Sequence, residues 1–328
     1  MSKSTISTFE LFQMFPDAEA ARVYMEGKRW PDGAVCPACD EAKRITTRKG
    51  GFYRCNACKT DFTVRTATIF ERSHIPLHKW LYAMYLLVTA RKGISSLQLA
   101  KQIGVTQKSA WFMLQRLREA CGNDPTVLRG FVEIDEMYVG GKEANKHKGK
   151  KLNAGRGAVG KTAVLGMREK GGRTKAGVIP NTSANTLHRA VHGHVEPGST
   201  LHTDEHGGYL GLDGLFYTHE SINHGSGEYV RDGVHTNGIE SVWAVMKRGI
   251  HGVYHHASPK HLDRYVSEFT FRLNDGDVAR HTLDRIASFL FASMSNLTLA
   301  VTLLSTIHWM YFLIDSSRAF SSLSVKLE

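Results

Sequence analysis

Two groups of residues in this chain have types and spacings suited to chemistry. The first is Cys36 and Cys39 in CPAC, followed after fifteen residues by Cys55 and Cys58 in CNAC. Each CxxC lets two thiolates approach one ion from a tight turn, and the interval suffices for a short β excursion that brings the second pair round. Four thiolates complete a tetrahedron and leave no open position, so the spacing predicts one structural zinc ion. The second group is acidic and dispersed: Asp135 in FVEIDEMYVGG, Asp204 in STLHTDEHGGY and Glu240 in TNGIESVWAVMKRGI. If they converge from separate elements, the three carboxylates form a cage for divalent metal ions. One ion then activates an attacking oxygen and the other stabilises a departing one, as in two-metal phosphoryl transfer.

Glu133, Glu136 and Glu205 are rivals. Strand alternation places Glu133 on the same face as Asp135 but farther from the strand end, and predicts that Glu136 points to the other face. Asn237 stands one helical turn before Glu240, where it either ligates metal, orients water or caps the helix. Lys247, seven residues beyond Glu240, falls on the same line of the helix and can meet a phosphate. His202, His206 and His235 flank these acids, and the sequence alone fixes no role for them.

The elements that must position these groups belong to a basic chain of several domains. The 328 residues, 42% hydrophobic, suffice for two or three domains; Lys and Arg outnumber Asp and Glu by 42 to 31, giving a formal charge of +11 and a pI near 9.4. That balance favours a polyanionic partner. Four of the five cysteines lie in CxxC pairs, which suits metal in a reducing compartment better than a secreted disulfide framework. The first thirty residues contain no continuous apolar stretch of the kind a signal peptide needs, and the expected location is the cytoplasm, at the nucleoid.

Residues 1–34 read as a helical packing segment. Phe9, Phe12, Phe15, Ala20 and Tyr24 are its apolar positions, Pro16 is its break, and Asp17 caps a helix running to about Met25. Residues 35–65 form the zinc ribbon, with Lys43, Arg44, Arg48, Lys49, Arg54 and Lys59 as a candidate DNA-facing surface. Residues 74–121 carry the length and the Gly104 turn of a helix-turn-helix. Thr106 caps its second helix, and Gln107, Lys108 and Ser109 are the groove-facing candidates. CGNDPT at 121–126 marks a boundary.

Residues 129–275 then alternate strands and helices in the order β-β-β-α-β-α/β that a ribonuclease-H-like α/β domain with a mixed sheet requires. The fold class is therefore multidomain α+β. Between the first two strands lies a basic loop with Lys146, Lys148, Lys150, Lys151, Arg156 and Lys161, expected to be disordered without a phosphate backbone to lie on. Within it, GRGAVGKT at 155–162 matches a nucleotide-binding pattern, but a basic segment precedes it and a strand follows it, so no ATP is expected. Arg248 after Lys247, and Arg264 and Arg272 in the following helix, are further candidates for DNA contact.

At these residues the chain resembles bacterial insertion-sequence transposases with an N-terminal zinc ribbon and an ISXO-type integrase-like domain. The resemblance rests on CPAC and CNAC, the helix-turn-helix, VEIDEMYVGGK, LHTDEHGGY and HTNGIESVWAVMKRGIHGVYHHASPKHLDRYVSEFTFRLN. It covers roughly residues 10 to 285. It implies a DDE triad of Asp135, Asp204 and Glu240, with Asn237 as the rival third member, and magnesium or manganese. The implied reaction is cleavage at terminal inverted repeats and joining of the freed 3′ ends to target DNA, by a homo-oligomer bound to double-stranded DNA. Two other readings stay open: a DNA-binding regulator whose catalytic domain serves as scaffold, and a simple nuclease of the same fold. The chain departs from the family after about Arg285. Ile286 to Ile314 holds no Asp, Glu, Lys or Arg, and this atypical tail, within residues 276–328, reads as a membrane span, a buried or oligomer-forming helix, or the product of a changed reading frame.

Overall fold

A computed structural model describes residues 5–122, 124–152, 158–214, 216–222, 235–274 and 282–287. The described residues divide into two compact units, a smaller one over Glu19–Ile75 and a larger one that joins the residues up to Ala18 to those from Pro76 on. The expected N-terminal segment 1–34 is thereby split. Helix α1 (Thr8–Met14) is capped by Ser7, whose hydroxyl accepts from the Glu10 N–H. It lies against α3 (Leu77–Thr89), where Phe12 stacks on Tyr82 at 5.1 Å. Helix α2 (Ala18–Arg29) runs four residues past the expected Met25 and folds with the ribbon. The aromatic residues that follow it explain the division: Trp30 meets Tyr53 and Phe62 edge-on at 5.4 and 5.6 Å.

In that smaller unit β1 (Ile45–Arg48), β2 (Phe52–Cys55) and β3 (Asp61–Phe62) form an antiparallel sheet in chain order. Gly50 and Gly51, both at positive φ, make the turn between β1 and β2. A side chain at Gly51 would overlap that of Arg22.

In the larger unit α4 (Ser96–Ile103) and α5 (Gln107–Cys121) build the helix-turn-helix. Gly104 ends α4 at φ 61, a left-handed conformation that favours glycine, and the Thr106 hydroxyl caps α5 by accepting from the Ser109 N–H at 3.2 Å. Leu99, Ile103, Ala110, Met113, Leu114 and Leu117 are buried between the helices and α3.

The sheet that follows contains β4 (Phe131–Val139), β5 (Thr162–Glu169), β6 (Thr174–Ile179), β7 (Thr200–Asp204) and β8 (Thr218–Ile222) in the spatial order β6-β5-β4-β7-β8. The β4–β5 and β5–β6 pairs are antiparallel, while β4–β7 and β7–β8 are parallel. This mixed topology is the one expected of a ribonuclease-H-like domain. One face carries Val132, Ile134, Leu165, Met167 and Leu201 and is covered by Leu187 and Val191 of α6 (Ala184–His194). On the other face Met137 and Val164 meet α7 (Asn237–Gly249) and α8 (Pro259–Asn274) through Ile239, Val242, Trp243, Met246, Leu262, Val266 and Phe269. Helix α7 continues as a π turn over Ile250–Tyr254.

Helix α8 fastens along edge strand β6. Asp263 Oδ1 accepts the Val178 N–H at 3.0 Å, and Asn274 exchanges hydrogen bonds with the Thr174 backbone at 2.7 and 2.8 Å. A short α9 (Thr282–Ala287) packs on α3. Beyond Ala287 the apolar tail lies outside the described residues; among those described, no helix is long and apolar enough to cross a membrane.

The larger unit is tied together by a buried ionic knot. Arg118 of α5 donates from Nε to Glu268 Oε2 of α8 at 2.6 Å, Arg272 pairs with the other oxygen, and the Tyr254 hydroxyl donates to it at 2.8 Å. Arg118 also stands over the Tyr265 ring at 4.0 Å. Glu268 is wholly buried. Arg272, expected to reach DNA, is therefore consumed inside the protein, because a buried carboxylate needs its charge. Arg264 stays at the surface, 3.1 Å from Glu119.

Burial acting alone would raise the Glu268 carboxyl. The charges of Arg272 and Arg118, with hydrogen bonds from Arg118 and Tyr254, outweigh it and hold the group below the usual 4.5. Because the folded value lies below the unfolded one, the stabilisation is full above the unfolded value and is lost as pH falls through the folded one. Removing one member of a buried pair strands the others, so Glu268→Ala should destabilise the larger unit by about 3–5 kcal/mol. Urea unfolding followed by circular dichroism at neutral pH measures this, and the difference from the parent should shrink as pH falls below the ordinary carboxyl value.

Candidate active site and metal centres

The four cysteines come together as their spacing predicts. Cys36 and Cys58 Sγ lie 3.6 Å apart, as do Cys39 and Cys55 Sγ, and all four sulfurs fall within 4.8 Å of one another. A tetrahedron of thiolates about zinc at ~2.3 Å has edges of ~3.8 Å, so the donor set fits that ion. The two turns are built alike. The Cys36 N–H donates to Glu41 O and the Cys55 N–H to Thr60 O, both at 2.9 Å, and the residue after each second cysteine, Asp40 or Lys59, takes a positive φ of 56 or 63°. Of the basic residues on this module, Arg48 and Arg54 lie 3.4 and 3.0 Å from Asp61, and Arg44 pairs with Glu41 at 3.0 Å. Lys43, Lys49 and Lys59 are exposed.

The acids gather at the centre of the larger sheet. The parallel register sets Glu133 beside His202, which two residues further places Asp135 beside Asp204, where the paired part of the two strands gives out. One carboxylate oxygen each from Asp135, Glu136 and Asp204 lies within 4.8 Å of the other two. Glu136 belongs to this group although alternation sets it on the other face of β4. It leaves β4 on that face, where the Tyr209 hydroxyl donates to it, and beyond the point where β4 and β7 stop pairing one of its oxygens still comes within reach of both aspartates. Glu205 is exposed and outside the cluster.

Asp135 is held at both oxygens: Oδ1 accepts the Glu136 N–H at 2.8 Å, and Oδ2 accepts the Trp243 indole N–H at 2.9 Å. Asp204 Oδ1 accepts the His206 N–H at 3.0 Å. Burial pushes the Asp135 and Glu136 carboxyls above their ordinary values. Asp204 and Glu240 push Asp135 the same way, against the hydrogen bonds from Glu136 and Trp243. Among the described residues no lysine or arginine pairs with Asp135, Glu136 or Asp204. Crowded oxygen donors without an organic counter-cation suit a hard divalent ion such as magnesium or manganese.

Glu240 occupies the exposed first turn of α7, near enough to Asp135 for its charge to act there but outside the tight three-acid group. Asn237, the first helical residue, is exposed too, and Thr236 takes the N-cap position. What places this turn is a pair of cross-strand neighbours, Glu133 and Arg168. Buried Glu133 accepts the Ile239 N–H at 2.8 Å, satisfying one of the donors a helix start leaves open. Arg168 Nη1 donates to Gly238 O at 2.9 Å and to Ser241 Oγ at 3.0 Å. A Cβ at Gly238 would press into the Glu133 carboxylate, so glycine is what lets the turn settle so close.

The remaining candidates disperse. Lys247 and Arg248 are exposed on the last turn of α7. In the helix-turn-helix Gln107 donates to Ser96 Oγ at 2.8 Å, the Ser109 hydroxyl pairs with Thr106 at 2.9 Å, and Lys108 is exposed. The basic loop is more ordered than expected in its described parts, with short 3-10 turns at Glu143–Asn145 and Lys148–Lys150. Its single acid explains this, since Glu143 pairs with Lys146 and accepts the Leu152 N–H. Lys148 and Lys150 are exposed, Lys151 and Lys161 half-buried; Arg156 lies outside the described residues. Thr162, the end of the nucleotide-binding pattern, opens strand β5 instead of a helix.

Of the histidines, His202 is buried with Nε2 3.4 Å from Glu220, and burial lowers its pKa. His206 Nδ1 accepts the Gly208 N–H at 3.1 Å, and His235 Nδ1 lies 3.2 Å from Glu133. Sequence reasoning passed over Trp243 and Tyr209. Trp243 sits on the apolar arc with Ile239 and Met246, a signal for burial but not for a hydrogen bond to an acid.

Comparison with known proteins agrees with this organisation. Residues 127–274 match the ISXO2-like transposase domain, and residues 16–61 match the transposase zinc-ribbon domain. The "Uncharacterized protein in transposable element ISH50" of Halobacterium salinarum is 31% identical over 260 residues, covering 74% of this chain and 86% of that protein. Among solved structures the chain is similar to the simian T-cell lymphotropic virus intasome in complex with PP2A regulatory subunit B56 gamma, with a TM-score of 0.26, 13% identity, and 59% of this chain and 64% of that one covered. A pre-cleavage Mos1 transpososome gives a TM-score of 0.27 and 12% identity, over 65% of this chain and 77% of the other. At such TM-scores neither structure bears on function.

Two outcomes are expected from this geometry. Glu133→Ala leaves the Ile239 N–H without its acceptor and should destabilise the larger unit by about 1–3 kcal/mol in urea unfolding, while Glu133→Gln, which keeps an acceptor oxygen, should lose less. Chelation of zinc should abolish amide-exchange protection over residues 36–62 and leave that of strands β4 to β7 unchanged, because each unit has its own core.

Proposed function

The chain belongs to the IS1595-type transposases, which combine a zinc ribbon with an ISXO2-like transposase domain, and from that premise we propose that it cuts and joins DNA at the ends of its insertion sequence. In this reading it binds the terminal inverted repeats, hydrolyses a phosphodiester bond at each end and transfers the freed 3′ ends to target DNA. The observation that carries the reading is the meeting of Asp135, midway along β4, with Asp204 at the end of neighbouring β7, beside a helix whose first turn bears Glu240. Asp135, Asp204 and Glu240 are the proposed ligands of two magnesium or manganese ions, with Asn237 as the rival to Glu240 and Glu136 as an added donor. When bound, such ions supply the positive charge that activates an attacking oxygen and stabilises a leaving one.

The protein's own part is to fix geometry. The Glu136 N–H and the Trp243 indole set the orientation of Asp135, the His206 N–H sets that of Asp204, and the Glu133–Arg168 pair sets the first turn of α7. Lys247 and Arg248, exposed on the last turn of that helix, are the proposed contacts to phosphate. Lys108 at the start of α5, with Gln107 and Ser109, is the proposed reader of the element end. Lys146, Lys148, Lys150, Lys151, Arg156 and Lys161 neutralise backbone phosphates, a sequence-independent and salt-sensitive contribution. Joining two ends requires both to be held at once, which a homo-oligomer on DNA provides.

Incubation of the protein with magnesium and DNA carrying the element's ends tests the proposal. Joined products support it; cleavage without joining would reduce the protein to a nuclease, and binding alone to a regulator. Asp135→Asn, Asp204→Asn and Glu240→Gln should each bring joining down to background while end binding stays within about twofold. A variant that still joins removes its residue from the set of ligands.

A further inference from the structure

The contact between α7 and strand β4 reaches beyond packing. Two successive rungs on one face of the β4–β5 ladder are Glu133 opposite Arg168 and Asp135 opposite Gly166. The first grips the α7 backbone, as described. The second is asymmetric, with a carboxylate on one strand and no side chain on the other. A Cβ at Gly166 would overlap the Trp243 ring and crowd Ile239 Cδ1. The indole occupies the space a side chain would have filled and donates its N–H to Asp135 Oδ2 at 2.9 Å. Trp243 is only 4% exposed, so exchange with water offers this N–H no ready alternative, and a buried indole N–H ordinarily finds a partner.

Trp243 is also three residues beyond Glu240, and residues so spaced share one side of a helix. A single turn of α7 thus carries both an acid of the proposed cage and the donor that orients another.

We infer that Trp243 is a positioning residue for the metal cage: its indole N–H, admitted by Gly166, fixes the Asp135 carboxylate and keeps it in register with Glu240. The inference rests on the assignment of Asp135 as a metal ligand. Outer hydrogen-bond partners of ligands typically change metal affinity by about 10–100-fold when removed, and that is the effect expected here. A role confined to packing predicts something else, since a ring of similar shape lacking the N–H would then serve equally well.

The test uses the full-length, zinc-loaded protein and manganese alone as the probe, with free Mn2+ measured by electron paramagnetic resonance. Three proteins are compared with the parent: Asp135→Asn, Trp243→Phe, and a chain with β-(3-benzothienyl)alanine at position 243, which keeps the bicyclic shape and replaces the N–H by sulfur. The benzothienyl protein, whose packing is preserved, should melt within a few degrees of the parent. It should bind Mn2+ about 10–100-fold more weakly, with kcat for end cleavage lowered and KM for DNA unchanged; Trp243→Phe should show the same loss of affinity.

If Asp135→Asn loses Mn2+ while the benzothienyl protein keeps the parent affinity within about twofold, the positioning role is overturned and Asp135 stands as a ligand. If Asp135→Asn binds Mn2+ as the parent does, the assignment of Asp135 fails and the role of Trp243 falls with it.

Discussion

The structure of the larger unit turns on how closely one helix approaches one strand pair. Helix α7 reaches β4 and β5 because Gly238 gives way to Glu133 and Gly166 gives way to Trp243. That approach buries Ile239, Val242, Trp243 and Met246 against the sheet, and the same contact brings polar groups together. The helix start surrenders an N–H to a buried carboxylate and a carbonyl to an arginine, so the hydrogen-bonding groups that would be stranded by burial are satisfied. The apolar contact supplies the stabilisation, and the polar contacts restrict it to one register. Asp135 and Glu240, more than a hundred residues apart in the chain, owe their proximity to this arrangement.

Much of this was legible in the sequence, and the boundary of legibility has physical causes. The zinc ribbon was readable because thiolate spacing and tetrahedral geometry leave few alternatives. The strands and helices of the α/β domain were readable from alternation and from the arc of Ile239, Val242, Met246 and Ile250, and Thr106 and Gly104 marked the helix-turn-helix. Period-two reasoning set Glu136 on the face opposite Asp135 and for that reason preferred Asp135; it could not show that a long side chain there still reaches the aspartates once β4 and β7 stop pairing. It also left Arg272 as a surface cation, since nothing local announces that Arg118, 154 positions earlier, and Glu268 enclose it. The hydrogen bond from Trp243 depends on a glycine in another strand. Such a pairing exists only once register is known. The basic loop was read from composition alone, and composition overlooks what a single acid among lysines can organise.

The carboxylate cluster illustrates a general tension. Burial and mutual repulsion raise the Asp135 and Glu136 pKa values, which by itself works against the charged forms needed to hold a cation. The backbone N–H of Glu136 and the indole of Trp243 oppose this at Asp135, and Tyr209 opposes it at Glu136. Donors that stabilise charge without neutralising it leave the oxygens available to a metal. A lysine in the same place would have competed for them.

The knot of Arg118, Glu268, Arg272 and Tyr254 has an evolutionary corollary. It spans the helix that would read DNA and the helix that buttresses the sheet, and its charges are tolerable only in each other's company. The helix-turn-helix is therefore not an interchangeable cassette. A recombinant gene that brought in a foreign α5 lacking this arginine would leave buried Glu268 with Arg272 as its one remaining guanidinium. Change on the exposed side of α5, around Lys108, leaves the knot untouched and is tolerated more readily than exchange of the whole helix.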